Sequence, residues 1–382
     1  MVVAVLVLAG CPQGDSLPAA DKTATPLPQG NAPTAAGDWP LFRGNPQATG
    51  LATSTLPEKP ELVWTFSIER GGFEASAVIA DGTVFAGSTT GTFYAVDLAS
   101  GKKKWEHKTE SGFSASAAVR QGRVYVGDMD GRFYCFDAAT GRLRWTFDAE
   151  SEVNSGPNFY GDRVLFGSQD AMLYCLDAQT GKLAWKYESP DQIRCSPTIV
   201  DDRTFVAGCD GRLHIIDLTT GKQTAEVVLE GPTGCTPAVA GQMAYVGSEG
   251  RAFLAVDWKQ AKVLWRYENS KHSASIRSSA AVTPELVIFG SRDKQVHALE
   301  TKTGQQRWAF TTRGPIDGSP VLVGSRIFVG SGDGRLYALD LATGKALWQF
   351  ETGGHLSASP AVAAERLVIG SEDGSLYCFG KK

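Results

Sequence analysis

Eight residues recur at one position of a repeating chain, and five of them carry groups able to do chemistry. The series reads Glu74, Ser114, Asn154, Arg194, Gly234, Arg277, Asp317 and Ser357. Two residues further on, the series Ser76, Ser116, Gly156, Ser196, Thr236, Ser279, Ser319 and Ser359 scarcely varies. Carboxylate and amide oxygens of the Glu, Asn and Asp type suit a hard cation such as Ca2+. A guanidinium offers a rigid fork of donors to carboxylates and other planar anions. Ile193-Arg194, repeated as Ile276-Arg277, sets an apolar side chain beside such a fork, a pairing that anchors protein interfaces. Three readings follow for this column. It is a cofactor or cation site built on Glu74, Asn154, Asp317 and Arg277, a partner-binding surface built on Ile193, Arg194, Arg277 and Asp317, or a solvated rim.

The elements that must position these residues come from the repeat itself. Acidic residues mark its beat at Asp97, Asp137, Asp177, Asp217, Asp257, Glu300 and Asp340, spaced by 40 residues except for one interval of 43. Eight residues after each acid stands Trp105, Trp145, Trp185, Ala225, Trp265, Trp308 or Trp348. Each unit reads as four short strands, exemplified by Ser319–Leu322, Arg326–Gly330, Leu336–Asp340 and a last strand ending at Trp348. Asp333-Gly334 is expected to form a two-residue hairpin turn with positive φ at both positions. Four antiparallel strands per forty residues, without helical periodicity, predict a β-propeller of all-β class. The strand Leu62–Phe66 carries Trp64 but precedes the first complete unit, whereas the last unit ends before its own Trp strand. The N-terminal strand is therefore expected to complete the C-terminal blade and close a ring of eight. The variable column then falls where interblade loops enter the innermost strands, around one mouth of the central channel.

The repeat accounts for most other residues that look chemical. The Trp column reads as packing between neighbouring sheets, and its gap at Ala225 predicts a looser fourth blade. The acidic column reads as carboxylates that accept from their own turns. Cys135, Cys175 and Cys378 stand where other units have Ala, so they read as buried fillers. Cys195 and Cys235 share one column in adjacent blades, and an oxidising compartment would allow a Cys195–Cys209 bridge. His214 and His297 take the slot of Tyr94, Tyr134 and Tyr337. No two histidines have metal-ligand spacing, and no Cys-x-x-Cys or Gly-x-Ser-x-Gly motif occurs.

Ala338-Leu339-Asp340 through Thr343-Gly344-Lys345 to Trp348 resembles the tryptophan-docking motif of quinoprotein-type (PQQ-like repeat) eight-bladed propellers. Asp38-Trp39-Pro40-Leu41-Phe42-Arg43-Gly44-Asn45 also resembles the lead-in of bacterial members, so the resemblance covers about residues 38–382. That group holds PQQ-dependent dehydrogenases and non-catalytic scaffolds alike, so the likeness implies fold more than function. Within it, length, blade number and N-terminus resemble the lipoprotein scaffolds of the BamB type, which serve outer-membrane assembly. The likeness to those scaffolds makes Gln192-Ile193-Arg194-Cys195-Ser196-Pro197 the expected partner contact, without the second upstream Leu and the Gly-Glu insert of their pattern. The dehydrogenase alternative implies PQQ and Ca2+ at Glu74, Asn154 and Asp317, with Arg277 on the quinone. Against it stand the absence of a vicinal Cys pair and of large interblade insertions. A third alternative is a propeller that binds a glycan or another surface ligand.

Met1 to Gly10 is apolar and ends in Leu8-Ala9-Gly10-Cys11, which resembles a bacterial lipobox with Cys11 as the lipidated thiol, although no Lys or Arg precedes the apolar run. Pro12 after the Cys favours the outer membrane, facing the periplasm. The expected organisation is thus a signal segment at 1–11, a Pro- and Ala-rich tether at 12–37, and a propeller at 38–382. A net charge of -4 with interspersed signs excludes a nonspecific nucleic-acid binder. No stretch reaches the roughly 18 to 20 apolar residues of a membrane span. The resulting expectation is a monomeric, non-enzymatic envelope scaffold without cofactor or metal. Its partner is a protein of the envelope, and it touches the membrane only through its lipid.

Overall fold

A computed structural model describes residues 37–382; Cys11 and nearly all of the expected tether lie outside the described residues. All regular structure among the described residues is β-strand, gathered into eight sheets. Seven sheets have four strands and one has five. Blade one comprises Val78–Ala80, Thr83–Gly87, Thr92–Asp97 and Lys103–Lys108, running antiparallel from the channel outward. Buried residues dominate the three inner strands, whereas the fourth alternates exposed and half-buried positions. This alternation is the signature of a strand with one face on the neighbouring blade and the other in water.

The ring closes as expected. Glu61–Ser67 pairs antiparallel with Ser375–Gly380 and supplies the fourth strand of blade eight. The expected two-residue hairpin at Asp333-Gly334 is corrected. The connection runs over residues 331–334, with only Gly334 at positive φ (78°). Asp333 instead stays on the right-handed side and accepts from the backbone N–H of Arg335 and from the Tyr337 hydroxyl, 3.0 and 2.7 Å away.

Blades are joined by an indole resting on a glycine. Trp64, Trp105, Trp145, Trp185, Trp265 and Trp308 each cover the turn glycine of the next blade. A Cβ added at Gly101, Gly141, Gly181, Gly221, Gly304 or Gly344 would stand 2.5–2.7 Å from the ring. Five of these indoles also donate across the junction, as Trp105 does to the Ala138 carbonyl at 2.9 Å. Trp145 does not, because the Ala178 carbonyl accepts from Tyr125 and Arg123 instead. Each turn is braced by its acidic residue. Asp137 accepts from the Thr140 amide and hydroxyl, and its bond to Arg144 is the main reason its carboxyl is held down at about 2.

At the fourth blade Ala225 lacks the indole, and the facing turn carries Ala261 in place of glycine, also at positive φ (51°). The two departures match, since a methyl fits where no ring lies above it. Trp258 of blade five packs edge-on against Phe205 of blade four at 5.4 Å, so an aromatic still spans this junction.

The central channel is lined by a ring of hydroxyls. Ser196 accepts from the Gly156 amide, Thr236 from Ser196, Ser279 from Thr236, Ser319 from Ser279, Ser359 from Ser319, and Ser76 from Ser359, all at 2.8–3.0 Å. Each bond crosses from one blade to the next, which explains why this column hardly varies.

Below the ring, the lead-in threads the channel, a feature the repeat does not announce. Trp39 bridges Ile79 of blade one, and Pro40 accepts from Val119 of blade two. Pro46 accepts from Asn158 of blade three and Ile199 of blade four. Gln47, Thr49 and Gly50 accept from Val239, Val282 and Leu322 of blades five, six and seven. Leu51–Ala52 then adds a parallel fifth strand to blade seven, and Ser54 meets Glu365 of blade eight. The inner strands would otherwise present open hydrogen-bonding edges to the channel.

Two substitutions test these locks. Gly181→Ala forces a methyl into the Trp145 ring at a left-handed residue and should cost roughly 2 kcal/mol or more. Ala261→Gly, with no indole above it, should shift the urea midpoint far less. Ser319→Ala orphans the buried Ser279 amide and should cost about 1–3 kcal/mol, whereas Ser116→Ala, whose hydroxyl serves no such bond, should unfold near the wild-type midpoint.

Candidate functional site

The variable column is held in place by the residue before it. Phe73, Phe113, Val153, Ile193, Ile276, Ile316 and Leu356 are all buried. Each lies over the glycine ending the second strand of the preceding blade, as Ile193 covers Gly167 and Ile276 covers Gly247. With that side chain fixed in the core, the next residue is turned to the channel. Ile193 is therefore corrected as a partner contact. It is fully buried, and its apolar surface is spent inside the ring. Arg194, by contrast, is 40% exposed.

All eight residues of the column line one cavity of about 160 Å³, walled below by the hydroxyl ring and floored by Phe42 of the lead-in. Gly156 makes room for that floor, because a Cβ there would approach the Phe42 Cβ to 3.2 Å. The structure thus brings together Glu74, Asn154, Arg194, Arg277 and Asp317, which are far apart in sequence.

Their charges are unevenly met. Arg277 and Arg194 face the same Glu249 carboxylate, at 3.2 and 4.0 Å. Asp317 faces Arg292 at 3.5 Å. Ser114 donates to Glu152 at 2.8 Å. Glu74 has no ion pair or hydrogen bond among the described residues, and burial, reinforced by the nearby Glu372 charge, raises its pKa. Among the described residues the buried Asn154 Oδ1 takes no hydrogen bond, and Asp317 Oδ1 has only its 3.5 Å ion pair with Arg292.

Glu249, Arg292 and Glu372 form a second spaced column with Thr89, Met129, Gln169, Cys209 and Gly332, in the loops joining second to third strands. The sequence reading missed this column, although the same spacing would have found it. It also missed Phe42, for which the repeat gives no signal, because the lead-in lies outside the repeat.

The remaining candidates resolve as structure. All six cysteines among the described residues are free thiols, so the Cys195–Cys209 bridge is not formed. Cys195 points into the core and accepts from the Ala207 amide at 3.0 Å, while Cys209 lies in a mouth loop against Gln192. Cys135, Cys175 and Cys378 are buried fillers. His214 and His297 keep the hydrogen bond that tyrosine makes elsewhere in their slot. They reach Asp210 and Asp293 at 2.6 and 2.9 Å, as Tyr174 reaches Asp170 at 2.7 Å.

Comparison with known proteins follows from this geometry. No curated protein sequence matches the chain. Among solved structures, BamB from Moraxella catarrhalis superposes with a TM-score of 0.72 at 21% identity, over 84% of this chain and 100% of that one. Quinohemoprotein alcohol dehydrogenase from Comamonas testosteroni gives 0.76 at 16% identity, over 91% and 81%. A computationally designed protein, Ika8, gives 0.74 at 18% identity, over 84% and 100%. Identities this low establish the propeller fold alone, which these three structures share. The family model described as outer membrane protein assembly factor BamB matches residues 50–192, 94–234, 191–316 and 292–382, which together span the ring, and the chain belongs to that family.

Proposed function

We propose that the protein is a non-enzymatic scaffold of the bacterial envelope. It is lipidated at Cys11, faces the periplasm from the outer membrane and displays the channel mouth to a protein of outer-membrane assembly. The observation that carries this reading is Arg194: a guanidinium exposed on the mouth and carried by a loop whose neighbour, Ile193, is locked in the core. A donor fork held in this way loses little conformational entropy when it docks. Family membership supports the same reading.

The dehydrogenase reading asks Glu74, Asn154 and Asp317 to share one Ca2+. They stand in blades one, three and seven, and Asp317 already faces Arg292. Among the described residues no three His, Cys, Asp or Glu side chains are placed to hold one ion. A Ca2+ ion takes six to eight oxygens, and the spread of these donors supports the scaffold reading over that one.

Photo-crosslinking in cells from position 191, exposed on the same mouth loop, should trap an envelope protein of the assembly machinery. Arg194→Glu should weaken its capture at least tenfold, in the range of interface hot spots, with an unchanged thermal midpoint. Undiminished capture by that variant would reject the assignment. Incubation with PQQ and Ca2+ should leave no quinone absorbance after desalting and no dye-linked oxidation of ethanol or glucose; turnover would reverse the class.

A further inference from the structure

The walls of the mouth cavity carry opposite charges on opposite sides. In a closed ring of eight, blade one faces blade five across the channel. Blade one supplies Glu74, the carboxylate without a partner. Blade five supplies Gly234, above which the space is open: among the described residues, its two chain neighbours aside, only the Arg194 Cβ comes within 4 Å of an added Cβ, at 4.0 Å. Arg194 and Arg277 flank that notch from blades four and six. Only Glu249 is shared between the two guanidinium groups, leaving one positive charge without a full counter-charge. Midway between these poles, Asn154 and Asp317 of blades three and seven face each other, the first with an acceptor oxygen that takes no hydrogen bond among the described residues, the second with only the 3.5 Å contact to Arg292. The floor is the Phe42 side chain.

Glu74, Arg194 and Arg277 are exposed side chains on the walls of the cup, and a concave site focuses the field of such charges on a ligand held inside it. Here the two unmet charges have opposite signs and stand across one small cavity. An anion would answer only the arginine pole and a cation only Glu74. We propose that the cup binds a small zwitterion, a free α-amino acid or short peptide. Its ammonium lies at Glu74 and its carboxylate over Gly234 between Arg194 and Arg277. The acceptors of Asn154 and Asp317 take N–H groups along its length, and its side chain meets Phe42. This site goes beyond the scaffold reading; it shares Arg194 with the proposed partner contact, so it is tested on the purified protein without a partner.

Isothermal titration calorimetry of the purified protein with L-alanine, Ala-Ala and Ala-Ala-Ala tests the site and measures its span. At least one length should bind, and N-acetylation or C-terminal amidation of that ligand should each weaken binding tenfold or more. Glu74→Gln should abolish the discrimination against the acetylated form. The double variant Arg194→Gln with Arg277→Gln should abolish that against the amidated form. All variants should unfold near the wild-type midpoint, because none of these side chains supports the hydroxyl ring. No heat from any length up to about 10 mM, a concentration at which binding as weak as millimolar is still read, would overturn the proposal. So would equal binding of free and blocked forms. These outcomes are independent of the crosslinking result, which reports only on the partner.

Discussion

The indole resting on a glycine of the next blade is the contact on which the rest of this ring depends. It is a steric condition before it is an attractive one. The turn glycine sits at a left-handed φ and leaves no room for a methyl, so the ring descends onto bare backbone. The indole then brings large aromatic area into the junction and, in five cases, a donor to a carbonyl of the neighbouring blade. Because each blade docks only on its two neighbours, one repeated contact sets the angle of the whole ring. The junction between blades four and five supports this view. There the indole and the glycine are lost together, and Trp258 reaches back across the seam. Loss of the indole alone would leave a void, and loss of the glycine alone would leave a clash.

Two further devices act nearer the axis. Hydroxyl-to-amide bonds tie the entrance of each inner strand to the next blade. The lead-in satisfies inner-edge groups lower in the channel. Arg43, almost fully buried, donates to the carbonyls of Ala280 and Pro320 and pins the lead-in against blades six and seven. Phe42 of this segment lines the mouth cavity. What remains above is a shallow polar cup whose floor is provided by a segment outside the repeat.

The fold was legible because a propeller writes its constraints at a fixed period. The Trp, Asp, Ser and Gly columns recur wherever one junction recurs, and strand closure followed from counting Trp64 against the unfinished last unit. The polar column was legible for the opposite reason, since it varies at a position whose neighbours do not. What escaped was information without period. Phe42 has no counterpart in other blades, so nothing in the repeat marks it as a floor. Ile193 shows the reverse error. Read beside Arg194 it suggested an exposed anchor, but read down its own column with Phe73, Val153 and Ile316 it belongs to the core. Adjacency in sequence misled, and periodicity would have corrected it, because alternate residues of this loop face opposite ways.

Stability and chemistry are separated by two residues at the mouth. Ser76 and its equivalents are bound by bonds between blades, whereas Glu74 and its equivalents contribute little to them. The second set takes no part in those bonds, so its side chains are free to set the polarity of the cup. Eight such positions facing one axis allow many charge patterns on one scaffold, which gives a physical reason why one propeller appears in a BamB, a quinohemoprotein dehydrogenase and a designed protein. In this chain the pattern has an unpaired acid opposite a gap between two arginines. The ring therefore dictates that the mouth exists, while the choice among its chemistries rests with side chains that the ring does not need.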